Sequence, residues 1–362
     1  MIGFILLIVV LSATIFLFMQ QATFGKDPSG KQLERILKSS NYKDGKFQNL
    51  YETPMLAPDV SYPKLLLDFF ITKHPNTEPD KTLPSVQTDL KTISSDKPII
   101  VWFGHSSYLI KTNGKNFLMD PVFSGNASPV SFTGKSYSGA DVYNTDDFPE
   151  LDGVLISHDH YDHLDYKTIL KLNEKTKHFY VPLGIGTHLM HWGIDESKIT
   201  EFDWWESVDL GDSVHITSTP AKHFSGRGFG RFKSLWTSYV IQTPSHRFYL
   251  GGDSGYDDHF KAIGDKFGPI DIAFLECGQY DKKWPFIHMM PEQTVQASID
   301  LKAKVLMPVH WGKFTLATHP WNESIERATK AAESLNVKLT TPKIGEPILI
   351  DSSYPNEKWW RL

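Results

Sequence analysis

The apolar and polar positions divide the chain into three unequal stretches. Residues 2–19 are apolar except for Gly3, Ser12 and Thr14, and they carry no charge. At about 18 residues, this segment is just long enough to cross a bilayer as a helix. Residues 21–95 are polar and rich in Pro, Lys and Asp. Within them the pattern predicts a short helix over 32–37 and a second over 62–71. Leu65, Leu66, Leu67, Phe69 and Phe70 would let the second lie on the main body or near a membrane. Residues 72–95 read as an extended linker. From Pro98 the pattern changes to short β-rich runs separated by turns.

These runs predict strands at 99–103, 108–112, 116–119, 154–156, 179–182, 199–202, 213–220, 236–242, 248–251, 270–275, 305–308 and 347–350. Asn113-Gly114 between the second and third is a strong hairpin signal. Helices are expected at 165–173 (with Asp165 as N-cap), 186–192, 291–301 and 322–335. Residues 122–150 read as loop. Early meandering strands with helices between and after them indicate an α/β protein with layered sheets. The expected organisation is a membrane or signal segment at 1–20, an extension and linker at 21–95, a catalytic body at 96–350 and a tail at 351–362.

Composition narrows the function classes. A 40% apolar and 22% charged chain is ordinary for a folded globular protein. The net charge of -5 lacks the basic excess of a nucleic-acid binder, so no nucleic-acid partner is expected. A single cysteine, Cys277, excludes both a disulfide framework and a thiolate-rich metal site. The 10 Trp, 14 Tyr and 23 Phe can build a core or line an apolar pocket. The N-terminal segment has two readings. It is longer than a typical signal core, no Lys or Arg precedes it, and no A-x-A site follows it. Those features favour an uncleaved single-pass anchor over a cleaved signal peptide, which would leave a secreted or periplasmic protein. Lys26, Lys31, Arg35 and Lys38 follow the segment, and the positive-inside rule then places the body in the cytoplasm.

The chemistry concentrates in V-L-I-S-H-D-H-Y-D-H-L at 154–164. An apolar run delivers His158, His160, Asp162 and His163 into a loop, and imidazole with carboxylate suits zinc and its neighbours. If strand alternation continued, His158, His160 and Asp162 would share one side. His163 would fall out of phase and serve a second ion. Three later positions repeat the context of a polar ligand just past an apolar run. They are His223 in T-P-A-K-H-F, Asp253 in L-G-G-D-S-G and His310 in M-P-V-H-W-G. Several strand ends converging on one edge is how α/β sheets build a site.

These motifs resemble the metallo-β-lactamase superfamily, and within it the N-acyl-phosphatidylethanolamine-hydrolysing phospholipase D group. The similarity rests on W-F-G-H-S-S at 102–107, D-P-V-F-S at 120–124, L-I-S-H-D-H-Y-D-H-L-D-Y at 155–166, D-W-W-E at 203–206, G-G-D-S-G-Y at 251–256 and V-H-W-G-K-F at 309–314. The resemblance implies a four-layer αββα sandwich with two Zn2+ at the sheet edge, with iron or manganese as the alternatives. It implies that His158, His160 and His223 hold one ion, that Asp162, His163 and His310 hold the other, and that Asp253 bridges them. His288 would assist at the substrate phosphate, while His105 and Asp120 would support the ligands from behind. Glu276, Tyr280, Trp284 and His288 are the expected substrate contacts. Glu276 departs from the apolar or neutral residue expected there, and so leaves the substrate open.

The implied reaction is hydrolysis of a phospholipid such as N-acyl-phosphatidylethanolamine by a water activated between the ions. No protein nucleophile is required, which agrees with the lack of a Ser-His-Asp or catalytic Cys signal. A lactonase or small phosphoester hydrolase with the same site, and a non-enzymatic membrane-tethered binding protein, are the competing classes. The expected partners are a phospholipid or other phosphodiester, a membrane and, as an assembly, a homodimer.

Overall fold

The computed structural model describes residues 1–362, the side chains of Leu66 and Phe70 excepted. The chain begins with helix α1 (Ile2–Met19), helix α2 (Gly30–Ile36), a two-residue hairpin of β1 (Tyr42–Lys43) and β2 (Lys46–Phe47), and helix α3 (Tyr62–Ile71). The body opens with strands β3 (Ile99–Trp102), β4 (Tyr108–Thr112), β5 (Lys115–Met119) and β6 (Gly153–Leu155). Helix α4 (Tyr166–Leu172), β7 (Phe179–Pro182), α5 (Ile185–His191) and β8 (Ile199–Phe202) follow. Then come β9 (Ser207–Asp209), β10 (His215–Thr219), β11 (Ser238–Gln242), β12 (Arg247–Leu250), α6 (His259–Phe267) and β13 (Ile272–Glu276). The last elements are α7 (Pro291–Asp300), β14 (Leu306–Val309), α8 (Glu323–Leu335) and β15 (Pro347–Leu349).

Thirteen of these strands make two sheets, a six-stranded sheet in the order β14-β13-β12-β11-β10-β9 and a seven-stranded one in the order β15-β3-β4-β5-β6-β7-β8. Strand alternation decides how they stack. In β3, Ile100 and Trp102 point to the inter-sheet core, while Ile99 and Val101 point to the outer layer. The same alternation places Tyr239 and Ile241 of β11, Phe248 and Leu250 of β12, and Ile272 and Phe274 of β13 on the inner face of the other sheet. Tyr108 stacks on Phe274 across the interface at 4.2 Å between ring centroids. Helices α4 and α5 cover the outer face of the seven-stranded sheet through Ile169, Leu172, Ile185 and Leu189. Helices α6, α7 and α8 cover the other through Phe260, Ile263, Val295, Ala328 and Ala332. The result is the αββα sandwich that the sequence motifs implied.

The sequence pattern misses β9, α6 and the β1–β2 hairpin. Helix α6 contains Gly264 in its interior, a costly choice for a helix. A Cβ there would lie 2.1 Å from the Asp300 carbonyl oxygen, so glycine is required where α6 meets the end of α7. Hairpin β1–β2 has only two residues per strand, too short for any period to register.

Parts of both flanks of the body pack onto it. Ile36 and Phe47 join Leu183, Trp204 and Trp236 in one buried cluster. Residues 72–95 are extended, but Leu83 enters the inter-sheet core and Leu90 the outer layer. In the tail, Trp359 and Trp360 pack on Trp311, at 5.1 and 5.7 Å between centroids. Burial of aromatic area, the largest hydrophobic contribution per residue, explains why these polar-looking segments fold onto the body. Helix α1 is exposed along its length and is apolar and long enough to cross a membrane.

Candidate metal centre

Strand direction brings the ligands to one place. In the first sheet β3 is antiparallel to β4, β4 to β5, and β5 runs parallel to β6. The C-terminal ends of β3, β5 and β6 therefore share an edge. They lead to His105, Asp120 and the 157–164 loop. In the second sheet β10 and β12 both run antiparallel to β11, while β12, β13 and β14 run parallel. Their C-terminal ends lead to His223, Asp253, Glu276 and His310. Three of these residues take positive φ, His105 at 53°, Asp120 at 39° and His310 at 67°. Backbone held in this sparsely used region marks turns that the surrounding packing must enforce.

Of three groups of potential donors among the described residues, one (Asp253, Glu276, His288 and His310) overlaps the others, and two hold the expected ligands. His158, His160, His223 and Asp253 form one, and His105, Asp162, His163 and His310 form the other, with each cluster's donor atoms within 4.8 Å of one another. Asp253 faces both. Its Oδ2 lies 3.8 Å from His158 Nε2 and 3.7 Å from His223 Nε2. Its Oδ1 lies 3.2 Å from His163 Nε2 and 3.1 Å from His310 Nε2. His160 Nδ1 is 2.8 Å from His158 Nε2 and 3.3 Å from His223 Nε2. Donors about 2.1 Å from a tetrahedral cation would stand roughly 3.4 Å apart, and these separations bracket that value.

The strand-alternation expectation for Asp162 fails. It grouped Asp162 with His158 and His160, but Asp162 Oδ2 sits 3.4 Å from His163 Nε2 and 3.3 Å from His310 Nε2. The cause is local. Strand β6 ends at Leu155, and the amides of His163 and Leu164 both bond back to the His160 carbonyl, so the chain turns.

The electrostatics fit a pair of cations. Burial pulls the His163 imidazole down, but the Asp253, Asp162 and Asp120 carboxylates outweigh it and hold its pKa well above the ordinary value. The same field favours any positive charge placed among them. Burial holds His158 and His223 well below the ordinary range, and neighbouring imidazoles add to this, which leaves them in the neutral form that ligates metal. Asp253 Oδ1 and His163 Nε2 are buried and have no hydrogen-bond partner. Buried unpaired donors aimed at one another are what a cation between them would satisfy.

Support comes from behind the ligands. Asp120 Oδ2 lies 2.7 Å from His163 Nδ1, and Asp120 also accepts from the Ser157 amide and hydroxyl at 2.7 Å each. This fixes His163 with Nδ1 protonated and Nε2 facing the cluster. His105 Nε2 reaches Asp162 Oδ2 at 2.9 Å, and its ring lies 4.2 Å from that of His310. His223 Nδ1 donates to the Ile287 carbonyl at 2.9 Å. Asp120→Ala is expected to weaken metal binding roughly 10–100-fold, as losing such partners usually does, and chelator competition would read it.

Of the expected substrate contacts, Trp284 and His288 line a cleft of about 360 Å³ above the donor clusters, together with Met55, Leu65, Phe224 and Arg231. Glu276 and Tyr280 do not. Glu276 ends β13 with its side chain buried beneath the site, 3.1 Å from His288 Nδ1 and 3.4 Å from His310 Nδ1, and it accepts from the Met289 amide at 3.0 Å. As the last residue of a strand whose Ile272 and Phe274 face inward, it follows them into the interior. Tyr280 turns away, donating to Glu323 at 2.6 Å and stacking on His319.

Sequence reasoning also misses Asn49. Its side chain donates to the His223 carbonyl at 2.9 Å and accepts from the His223 amide at 3.0 Å, clamping that ligand's backbone from a segment 174 residues away.

A sequence model described as the Beta-lactamase superfamily domain matches residues 115–311. The chain belongs to the metallo-β-lactamase superfamily. It is a metal-dependent hydrolase of that superfamily, within the N-acyl-phosphatidylethanolamine-hydrolysing phospholipase D-like group. N-acyl-phosphatidylethanolamine-hydrolyzing phospholipase D 1 of Caenorhabditis elegans is 32% identical over 300 residues, covering 76% of this chain and 84% of that one. An uncharacterized protein of Mycobacterium tuberculosis is 38% identical over 329 residues, 90% of this chain and 88% of its own. Among solved structures, a metallo hydrolase from Ignicoccus hospitalis superposes with a TM-score of 0.54 at 23% identity, over 71% of this chain and all of the other, which supports the fold.

Proposed function

We propose that the protein is a phospholipase D-type phosphodiesterase, acting on N-acyl-phosphatidylethanolamine-like phospholipids with two zinc ions held by the seven ligands named above. The observation that carries this reading is the cleft. It brings the donor clusters, His288 and a single cationic side chain, Arg231, together with an apolar wall of Met55, Leu56, Leu65, Phe224, Trp284, Ile287 and Leu316. Such a wall suits acyl chains, and Arg231 with the metal ligands suits a phosphate. The name of the C. elegans relative points the same way.

Bound there, two divalent cations would supply Lewis acidity and lower the pKa of a water from 15.7 towards ≈ 7. The protein's own groups orient and exclude. His288 donates its Nδ1–H to the Glu276 carboxylate at 3.1 Å and keeps that proton, so Nε2 faces the cleft and can receive or return a proton at the phosphate or the leaving oxygen. Arg231 donates to the Tyr62 hydroxyl at 3.0 Å and holds α3 against the cleft mouth. In the net reaction a water oxygen bonds phosphorus and the bond to the ethanolamide oxygen breaks. A proton passes to that leaving oxygen, and phosphatidic acid remains. We read α1 as an uncleaved anchor with the body in the cytoplasm, which would keep the cleft beside its lipid substrate.

The test is a panel of N-acyl-phosphatidylethanolamine, phosphatidylcholine, a small phosphodiester and a lactone, each offered in mixed micelles. Phosphatidic acid released from the first supports the reading. A lactone opened while lipid phosphodiesters stay intact refutes it.

A further inference from the structure

Helix α1 ends at Met19, and the next residues are docked onto the back of the metal loop. Ala22–Phe24 form a single 3-10 turn. Trp192 Nε1 donates to the Ala22 carbonyl at 2.7 Å, and the Lys26 amide donates to His188 Nδ1 at 2.9 Å. His188 Nε2 then lies 3.5 Å from Asp159 Oδ2, inside the metal loop. Phe24 packs edge-on against Tyr161, between His160 and Asp162, at 6.3 Å between centroids. Gly25 has φ +72°, and a Cβ there would fall 2.2 Å from His188 Nδ1, so only glycine lets the segment lie this close.

Arg227 is the fastener. It is 4% exposed. Its Nε and Nη2 donate to the Thr23 carbonyl at 3.0 and 2.8 Å. Its Nη1 donates to the carbonyls of Asp159 and Leu164, both at 2.7 Å. Tyr161 covers its face at 4.2 Å, and the Tyr161 hydroxyl donates to the Arg227 carbonyl. A buried guanidinium is expensive unless its donors are used. Here the rigid fork reaches both ends of the ligand-bearing loop and, with its remaining donors, the segment leaving α1.

We propose that Ala22 to Lys26 is a strap that positions the metal loop, acting through Arg227, so that the end of the membrane segment and the metal centre form one mechanical unit. The strap rests on the metal reading given under Proposed function. Its role is positioning, since Arg227 meets the backbone of Asp159 and Leu164, which flank the candidate ligands.

Full-length protein in detergent micelles tests this with Arg227→Lys, Arg227→Met and Gly25→Ala. Two readouts are taken, zinc affinity by chelator competition and hydrogen exchange of the 159–164 amides without metal. All three variants are expected to exchange at least about tenfold faster in that segment, while β11 and β12 stay protected. Zinc affinity is expected to fall about 10–100-fold in Arg227→Met, with Arg227→Lys recovering part of it. Gly25→Ala is the decisive variant, because the substitution lies in the strap and its Cβ meets His188, which the strap docks against, and no candidate ligand. Parent-like exchange and parent-like zinc affinity in Gly25→Ala would overturn the strap. Should the parent itself take up no zinc, the metal reading fails, and the exchange data still decide the strap.

Discussion

Asp253→Asn is expected to abolish hydrolysis while leaving the fold in place. Asp253 is the one residue whose two oxygens face different clusters, Oδ2 towards His158 and His223 and Oδ1 towards His163 and His310. Asparagine keeps the shape but removes the charge and replaces one oxygen with a donor. A donor cannot ligate a cation, and it would point at imidazole nitrogens that must stay unprotonated. At least one ion of the pair is lost. The expected fall in kcat is ~10³-fold or more, the scale on which single electrostatic stabilisers act, and metal content should drop to one ion per chain or fewer. The side chain sits at a loop just past β12 and supports no core packing, so melting of the metal-free protein should move by only about 2–4 °C. Activity, metal analysis and melting on the same preparation check this. A folded, metal-depleted Asp253→Asn protein with parent activity would end the two-metal reading.

How much of this was legible in the sequence depends on the distance over which each residue acts. The candidate ligands His158, His160, Asp162, His163, His223, Asp253 and His310 follow four apolar runs, because the ends of four strands, β6, β10, β12 and β14, carry them. Local pattern was enough to single them out, and the fold brings them into neighbouring clusters. Pattern failed where the chain stops being regular. Alternation extended past Leu155 put Asp162 with the wrong partners, since a turn replaces the strand there. It failed again where a contact is long-range. Asn49 sits in a polar stretch with no period, and only the folded chain brings it to His223. Arg227 lies in S-G-R-G-F-G, a composition that reads as loop, although its side chain is buried. Residues 21–95 read as an extension and linker because their few large apolar residues are scattered, Ile36 and Phe47 entering one buried cluster, Leu83 the inter-sheet core and Leu90 the outer layer.

Glu276→Gln is expected to cost nearly as much as losing the bridge, by a different route. The sequence placed Glu276 against the substrate, and the structure places it beneath His288 and His310. Burial pushes its carboxyl up, but the neighbouring imidazoles outweigh burial, so it is held below the ordinary carboxylate range and stays ionised. An ionised carboxylate only accepts, which forces Nδ1 of His288 to carry the proton and leaves Nε2 to face the cleft. Glutamine can present either end, so the ring loses its enforced tautomer. Losing a carboxylate with that duty costs roughly 10²–10⁴-fold in turnover. The loss should fall on kcat, with KM little changed, because Glu276 does not reach the cleft. Glu276→Leu separates this role from a structural one. It strands the Met289 amide and both imidazoles, and is expected to destabilise the fold by about 3–5 kcal/mol, as breaking a buried charge network does. Glu276→Gln should melt close to the parent. Steady-state kinetics, with nitrogen chemical shifts of the His288 ring, read the two effects apart. If Glu276→Gln turns over like the parent, the tautomer of His288 is set by something other than Glu276, and the acidic departure at this position must then be explained by packing alone.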